Sequence, residues 1–211
     1  PAPTLAGQLA AAVEAAMVTA VAPRRFMFRH SLMREAAYDM QVRVRLRGLH
    51  EQAAIAFETA YRDDLAPYYG EIAHHFDRAA RVVQALAYYE RAADRARDNY
   101  QNGDALAHYG RALALADESA LETRYRLLLG QESVLNWVAQ REAQAETLAQ
   151  LTALLDQLAD PALRAEVALR RAVQALGVGD YEAALTAVAQ SVQQAEVAGD
   201  GVAEATARHR W

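Results

Sequence analysis

The segments Leu115–Asp117 (LAD), Leu158–Asp160 (LAD) and Ala198–Asp200 (AGD) recur about 40 residues apart, and similar openings follow two of them, SALETRY at Ser119 and PALRAEV at Pro161. A fixed period of that size marks stacked helical hairpins, because one hairpin alone cannot bury its apolar face. The unit is clearest in Gly103–Asp117, GDALAHYGRALALAD. Wound as a helix, it sets Ala105, Leu106, Tyr109, Ala112, Leu113 and Ala116 on one face, and Asp104, His108 and Arg111 on the other. A second copy starts at Gly179, GDYEAALTAVAQSVQQA, with Ala184, Leu185, Val188, Ser191 and Val192 on the equivalent face. Small residues let two helices approach closely, and the ring fills the space one turn on. Helices of about 15 residues, roughly 22 Å long, are enough to stack but not to stand alone.

From about Arg43 the texture is uniformly helical. Gly48–Tyr61 carries Leu49, Ala53, Ile55, Ala56 and Phe57, and a break follows at Asp63, Asp64 and Pro67. Tyr68–Ala79 is expected to bury Ile72, His75, Phe76 and Ala79. Val82–Arg97 is expected to bury Leu86, Tyr89, Ala92, Ala93 and Ala96. Leu121–Val138, Arg141–Ala159, Pro161–Leu176 and Tyr181–Ala198 follow, with Pro161 suited to a first helical turn and Gly177 and Gly179 to a tight connection. Short connections favour antiparallel neighbours. The opening at Gly201 (GVAEATARHRW) predicts further repeats after Trp211.

The first 40 residues read differently. Leu5–Val18 is an alanine-rich helix, Ala20–Arg25 a turn around Pro23, and Arg25–His30 a short strand in which Phe26 and Phe28 alternate with Met27 and Arg29. Ser31, with Glu35 behind it, is placed to cap a helix running through Met40. The chain therefore divides into 1–40, with a strand, and 41–211, all helical repeats.

Composition narrows the function. The chain is 53% hydrophobic, much of it alanine, which favours helix and contributes little buried area. The absence of cysteine excludes disulfides, thiolate metal sites and a cysteine nucleophile. All 22 basic residues are arginine, which excludes a P-loop lysine, a Schiff base and a lysine clamp for a carboxylate. No apolar run approaches the roughly 20 residues of a membrane span, and no secretory signal opens the chain. A cytoplasmic location, within a longer protein, is the expectation. Arg24–Arg47 holds seven arginines against two acids, whereas 112–200 holds six arginines against thirteen acids. The basic block is expected to face an adjoining domain; nucleic acid is the weaker alternative, since no aromatic-interleaved basic patch accompanies it.

Two resemblances follow from these residues. Leu86–Ser119 resembles a tetratricopeptide (TPR) hairpin, with Tyr89, Ala93, Ala105, Tyr109 and Ala112 on its large and small positions; Ala165–Gln194 is similar through Ala168, Ala172, Ala184, Val188 and Ser191. The spacing exceeds the usual ~34 residues of that motif and resembles the sensor arms of bacterial signalling ATPases such as the maltose-regulon activator. RFMFRHSLMREAAYDM (Arg25–Met40), then RLRGLHEQAAIAFE, then EIAHHFDRA (Glu71–Ala79), resembles the junction after the ATPase core of STAND-type ATPases. Many LuxR-type regulators and ATPase-linked adenylate cyclases share that junction. The resemblance implies an all-α fold, a right-handed superhelix of antiparallel helix pairs, preceded by the remnant of a winged-helix domain and its junction helix. It also maps His30, flanked by Arg29 and Ser31, onto the histidine that senses a bound nucleotide in related ATPases, a role confined to the intact parent protein. The expected function is a non-catalytic sensor or scaffold arm of a multidomain signalling ATPase or transcriptional regulator. A free-standing TPR adaptor and a DNA-contacting fragment acting through the basic block are the alternatives.

The candidate sites are few. His74 and His75 point about 100° apart on a helix and cannot chelate a metal as an i, i+4 pair can; one buried and one hydrogen-bonded histidine is the expectation. The acids fall on helix faces expected to be exposed, and no nucleophile–base constellation appears. No cofactor or metal is expected, nor any enzyme activity of this chain's own. The inner surface of a TPR-like stack is lined by the first helix of each hairpin. That exposes Glu90, Asp94 and Arg97 in one hairpin and the stripe Leu169, Val173 and Leu176 in another, a groove for a protein partner or a small effector. The residue pattern leaves open whether that stripe is groove or core, and Arg171, where such repeats usually bury leucine, points to a rotated register.

Overall fold

The computed structural model describes residues 4–22, 25–40 and 42–199. Ten helices and one two-stranded antiparallel sheet make up the described residues. The first part is α1 (Leu5–Glu14), β1 (Val18–Ala22), β2 (Arg25–Phe28) and α2 (Ser31–Asp39). Then come α3 (Arg43–Ala60), a 3-10 turn (Ala66–Tyr68), α4 (Tyr69–Arg78), α5 (Val82–Asp98), α6 (Asn102–Leu115) and α7 (Leu121–Trp137). The last three are α8 (Arg141–Leu158), α9 (Pro161–Gly177) and α10 (Tyr181–Ala198).

The repeat is written in the backbone. α5, α7 and α9 each end on a left-handed residue, Tyr100 (φ 58°), Ala139 (φ 57°) and Gly179 (φ 80°). The next amide reaches back across the last turn each time, from Gln101 to Ala96 O, Gln140 to Leu135 O and Asp180 to Ala175 O. This Schellman closure satisfies carbonyls that a helix end leaves orphaned. From α3 onward each helix packs on the next, and α5 also touches α7. Pro161 occupies the first position of α9, and the Asp160 carboxylate caps that helix through Ala162 N and Leu163 N.

Two apolar clusters run through the stack. One joins α3 to α7 around Ile72, Phe76, Tyr89, Tyr109, Leu127 and Val134. The other joins α7, α8 and α9 around Leu128, Leu148, Leu151, Leu155 and Val167. Tyr109 is 1% exposed and fills the space that Gly130 of α7 leaves; a Cβ at Gly130 would overlap its ring. The face expected from Ala105, Tyr109, Ala112 and Ala116 is the buried face of α6. In α10 the face is rotated: Ala184, Ala187, Ser191 and Ala195 are buried, while Leu185 is 62% exposed. Alanines do this packing because α9 meets α10 through alanines of its own, and Ser191 Oγ donates to Ala165 O at 2.8 Å.

Several expectations need correction. The first helix ends at Glu14, and Val18–Ala22, expected as helix end and turn, is a strand paired with Arg25–Phe28. Its pattern, VTAVA, carries too few large residues to announce a strand, and the ladder itself supplies the stabilisation. His30, not Ser31, is the N-cap of α2, and its side chain makes no capping bond. Ala54 is the buried residue of α3, while Leu49, Ile55 and Ala56 are exposed. The expected repeat after Asp200 lies outside the described residues.

Candidate functional site

Glu90, Asp94 and Arg97 share one face of α5, because positions 0, 4 and 7 fall within about 60° of each other on a helix. They line a cavity of about 290 Å³ together with Tyr109, Arg126 and Arg170. Leu169 and Val173 of α9 line an adjacent cavity of about 300 Å³ with Glu132, Trp137 and Glu166. The two share Ser133 and Arg170, so they form one groove along α5, α7 and α9. Five of the six sequence-derived groove residues thus line one surface. Leu176, 38% exposed, lies one turn beyond Val173 and lines neither cavity. His30 is exposed at the start of α2 and belongs to no such group.

Polar contacts, most of them between helices, floor the groove. Arg126 of α7 grips Glu90 of α5 with two bonds, 3.0 and 3.3 Å long. Arg97 Nη1 donates to the Tyr109 hydroxyl (2.9 Å), which donates to Asp94 Oδ1 (2.6 Å). Burial, and then the Asp94 carboxylate, push the Tyr109 phenol well above its ordinary value. Further along, Arg170 reaches Glu132 (2.6 Å), Ser133 (2.9 Å) and Glu166 (3.0 Å), and Tyr125 donates to Glu166 at 3.0 Å. Gln144 Nε2 donates to the other oxygen of Glu132 at 2.7 Å. Burial opposes the charge on Arg170, but Glu132 and Glu166 more than offset it and hold the guanidinium above the usual arginine range.

Glu132 corrects the expectation that the acids lie on exposed faces: it is 2% exposed. A carboxylate this deep persists because each oxygen is bonded and one bond comes from a cation. Arg171 is exposed, while its neighbour Arg170 is half-buried and pairs with Glu132. Sequence reasoning missed Arg126, Glu132 and Arg170, since each pair joins residues 36–38 positions apart on different helices. Trp137, 54% exposed, lies at the groove's end with its indole 6.0 Å from the Tyr100 ring.

The histidines divide differently from expectation. His75 is half-buried and also hydrogen-bonded, while His74 is exposed. The partner is His50 of α3, Nδ1 to Nδ1 at 2.8 Å, and Tyr38 meets His50 Nε2 at 3.1 Å. Among the described residues no cluster of three or more histidines and carboxylates has the arrangement of a metal site. No helix among them is long and apolar enough to cross a membrane. Neither a comparison with protein-family profiles nor one with curated proteins returns a match.

Proposed function

We propose that this chain is the binding arm of a larger signalling protein, a TPR-like stack of helical hairpins that holds a peptide segment of a protein partner and has no catalytic role of its own. The observation that carries the reading is the groove itself. First helices of three successive hairpins present one continuous surface, charged at α5 and apolar at Leu169, Val173 and Trp137. Peptide-binding grooves combine apolar anchors with a few fixed polar groups that set orientation. The Glu132–Arg170–Glu166 lattice supplies such fixed groups, because its members are already oriented by one another. The resemblance of Arg25–Met40 to the junction of STAND-type ATPases supports an ATPase as the parent of this arm, with the exposed arginines Arg43, Arg45 and Arg47 facing the adjoining domain.

Panning a random peptide library on the purified chain tests the reading. Enriched peptides are expected to lose about tenfold or more in affinity on Leu169→Glu or Arg126→Glu. Failure to enrich any peptide, or enriched peptides indifferent to both substitutions, overturns it.

A further inference from the structure

On the reverse side of α5, a cavity of about 510 Å³ opens between α4, α5 and α6, a size within the range of small-molecule sites. At 100° per residue, Ala92, Arg95 and Ala96 point roughly 180° away from Glu90, Asp94 and Arg97, so this cavity and the groove use opposite faces of one helix. It exists because the facing side chains are small: Ala92 and Ala96 on α5, and Gly70 on α4.

Its arginine differs from the other half-buried arginines of the stack. Arg97, Arg124, Arg141, Arg164 and Arg170 each have a hydrogen-bond partner for the guanidinium. Arg95 lines the cavity half-buried, and among the described residues its guanidinium has neither an ion pair nor a side-chain hydrogen bond. Glu71 and Asp104 line the same cavity, and among the described residues neither has an ion pair. His108 shares their surroundings: burial pulls its imidazole below the ordinary value, and Asp104 and Glu71 act against that pull. A half-buried cation without a partner recruits an anion. Two carboxylates repel a simple anion such as phosphate, while Arg95 repels a simple diamine. One positive and two negative groups match a molecule with one negative and two positive groups.

We propose that this cavity binds a cationic α-amino acid, with its carboxylate on Arg95 and its two cationic groups shared between Glu71 and Asp104. The site is independent of the peptide groove, so the two can fail separately.

Isothermal titration of the purified chain with L-lysine and L-arginine, and with their decarboxylated counterparts cadaverine and agmatine, tests the assignment. At least one amino acid is expected to bind, about tenfold or more tighter than its decarboxylated counterpart. Arg95→Met and Asp104→Asn are each expected to weaken it by about the same factor, and Leu169→Glu in the groove to leave it unchanged. If Arg95→Met fails to give the helical circular dichroism of the parent, Asp104→Asn, at an exposed position, decides alone. No heat from either amino acid, equal binding of the decarboxylated pair, or undiminished binding by the folded variants overturns the proposal.

Discussion

The block before α3 and the helical stack after it contain similar apolar residues and treat them in opposite ways. α1, β2 and α2 bury no residue, and Val18 of β1, at 9% exposure, is the single buried residue described before α3. Phe26, Met27, Phe28, Leu32 and Met40 are 38–82% exposed. In the stack, Leu127, Leu128, Val134 and Leu151 are at most 1% exposed. Composition does not separate the two regions; the number of partners does. A helix of the stack lies between a predecessor and a successor, and both contribute to its burial. A two-stranded hairpin has one neighbour at most and is marginal in water. Stability therefore resides in the stack, and the first block is tied to it through a thin polar chain. Arg78 donates to the Tyr38 hydroxyl at 2.5 Å, Tyr38 meets His50, and His50 meets His75.

The largest expected effect tests that division. Tyr109→Ala removes a ring at 1% exposure, together with the hydroxyl that joins Arg97 to Asp94. Gly130 cannot collapse into the space, having no side chain to move, so the loss is expected to be about 3–5 kcal/mol. Met27→Ser removes a side chain that is 60% exposed, and less than about 0.5 kcal/mol is expected. Urea unfolding followed by far-ultraviolet circular dichroism measures both. Comparable losses from the two substitutions would show that the first block shares the stability of the stack.

What the sequence reveals follows the same line. The α6 face was legible because alanine, tyrosine and alanine at helical spacing leave one packing solution. The α10 face was read one step off because Leu185 looks like core, although Ala187 and Ala195 serve better against the alanines of α9. Glu90, Asp94 and Arg97 were legible as a shared surface since they lie on one helix. Their arginine partners were not, because a cross-helix pair such as Glu132–Arg170 is decided by how helices stack. Short-range periodicity carries no record of that. His50 was missed for the same reason: nothing within α3 points to a contact with His75, 25 residues away. The left-handed turns at Tyr100 and Ala139 were invisible because neither residue is glycine.

The junction is expected to weaken in acid. Its hydrogen bond needs one Nδ1 protonated and the other bare, and both imidazoles are held below their ordinary value of 6.5. Burial is the first cause in each; Arg78 adds to it for His50, and His50 for His75. Between those lowered values and 6.5 the unfolded chain binds more protons than the folded one. Stability is then complete above that window and is lost as pH falls through it. His108 shifts in the same direction, by burial. The melting temperature is therefore expected to fall between about pH 7.5 and pH 5.5. His50→Gln keeps an amide able to bond without titrating, so its profile should be flatter. An unchanged pH profile in that variant would place the acid sensitivity elsewhere.

The smallest expected effect is a gain. Tyr100, Ala139 and Gly179 close equivalent helix ends with nearly the same backbone angle, yet one of the three is glycine. A side chain in the left-handed region costs about 1–2 kcal/mol, and glycine returns part of that through the larger freedom of its unfolded chain. Ala139→Gly is therefore expected to stabilise the protein by about 0.5–1 kcal/mol, a rise of about 2–4 °C in melting temperature at the upper end. Gly179→Ala should lose a similar amount. Ala16 holds the same conformation (φ 56°) between α1 and β1, so Ala16→Gly relieves the same strain outside the stack. If stability resides in the stack, Ala139→Gly raises the main unfolding transition and Ala16→Gly leaves it where it was. Equal gains from the two would mean that the first block unfolds with the repeats as one unit.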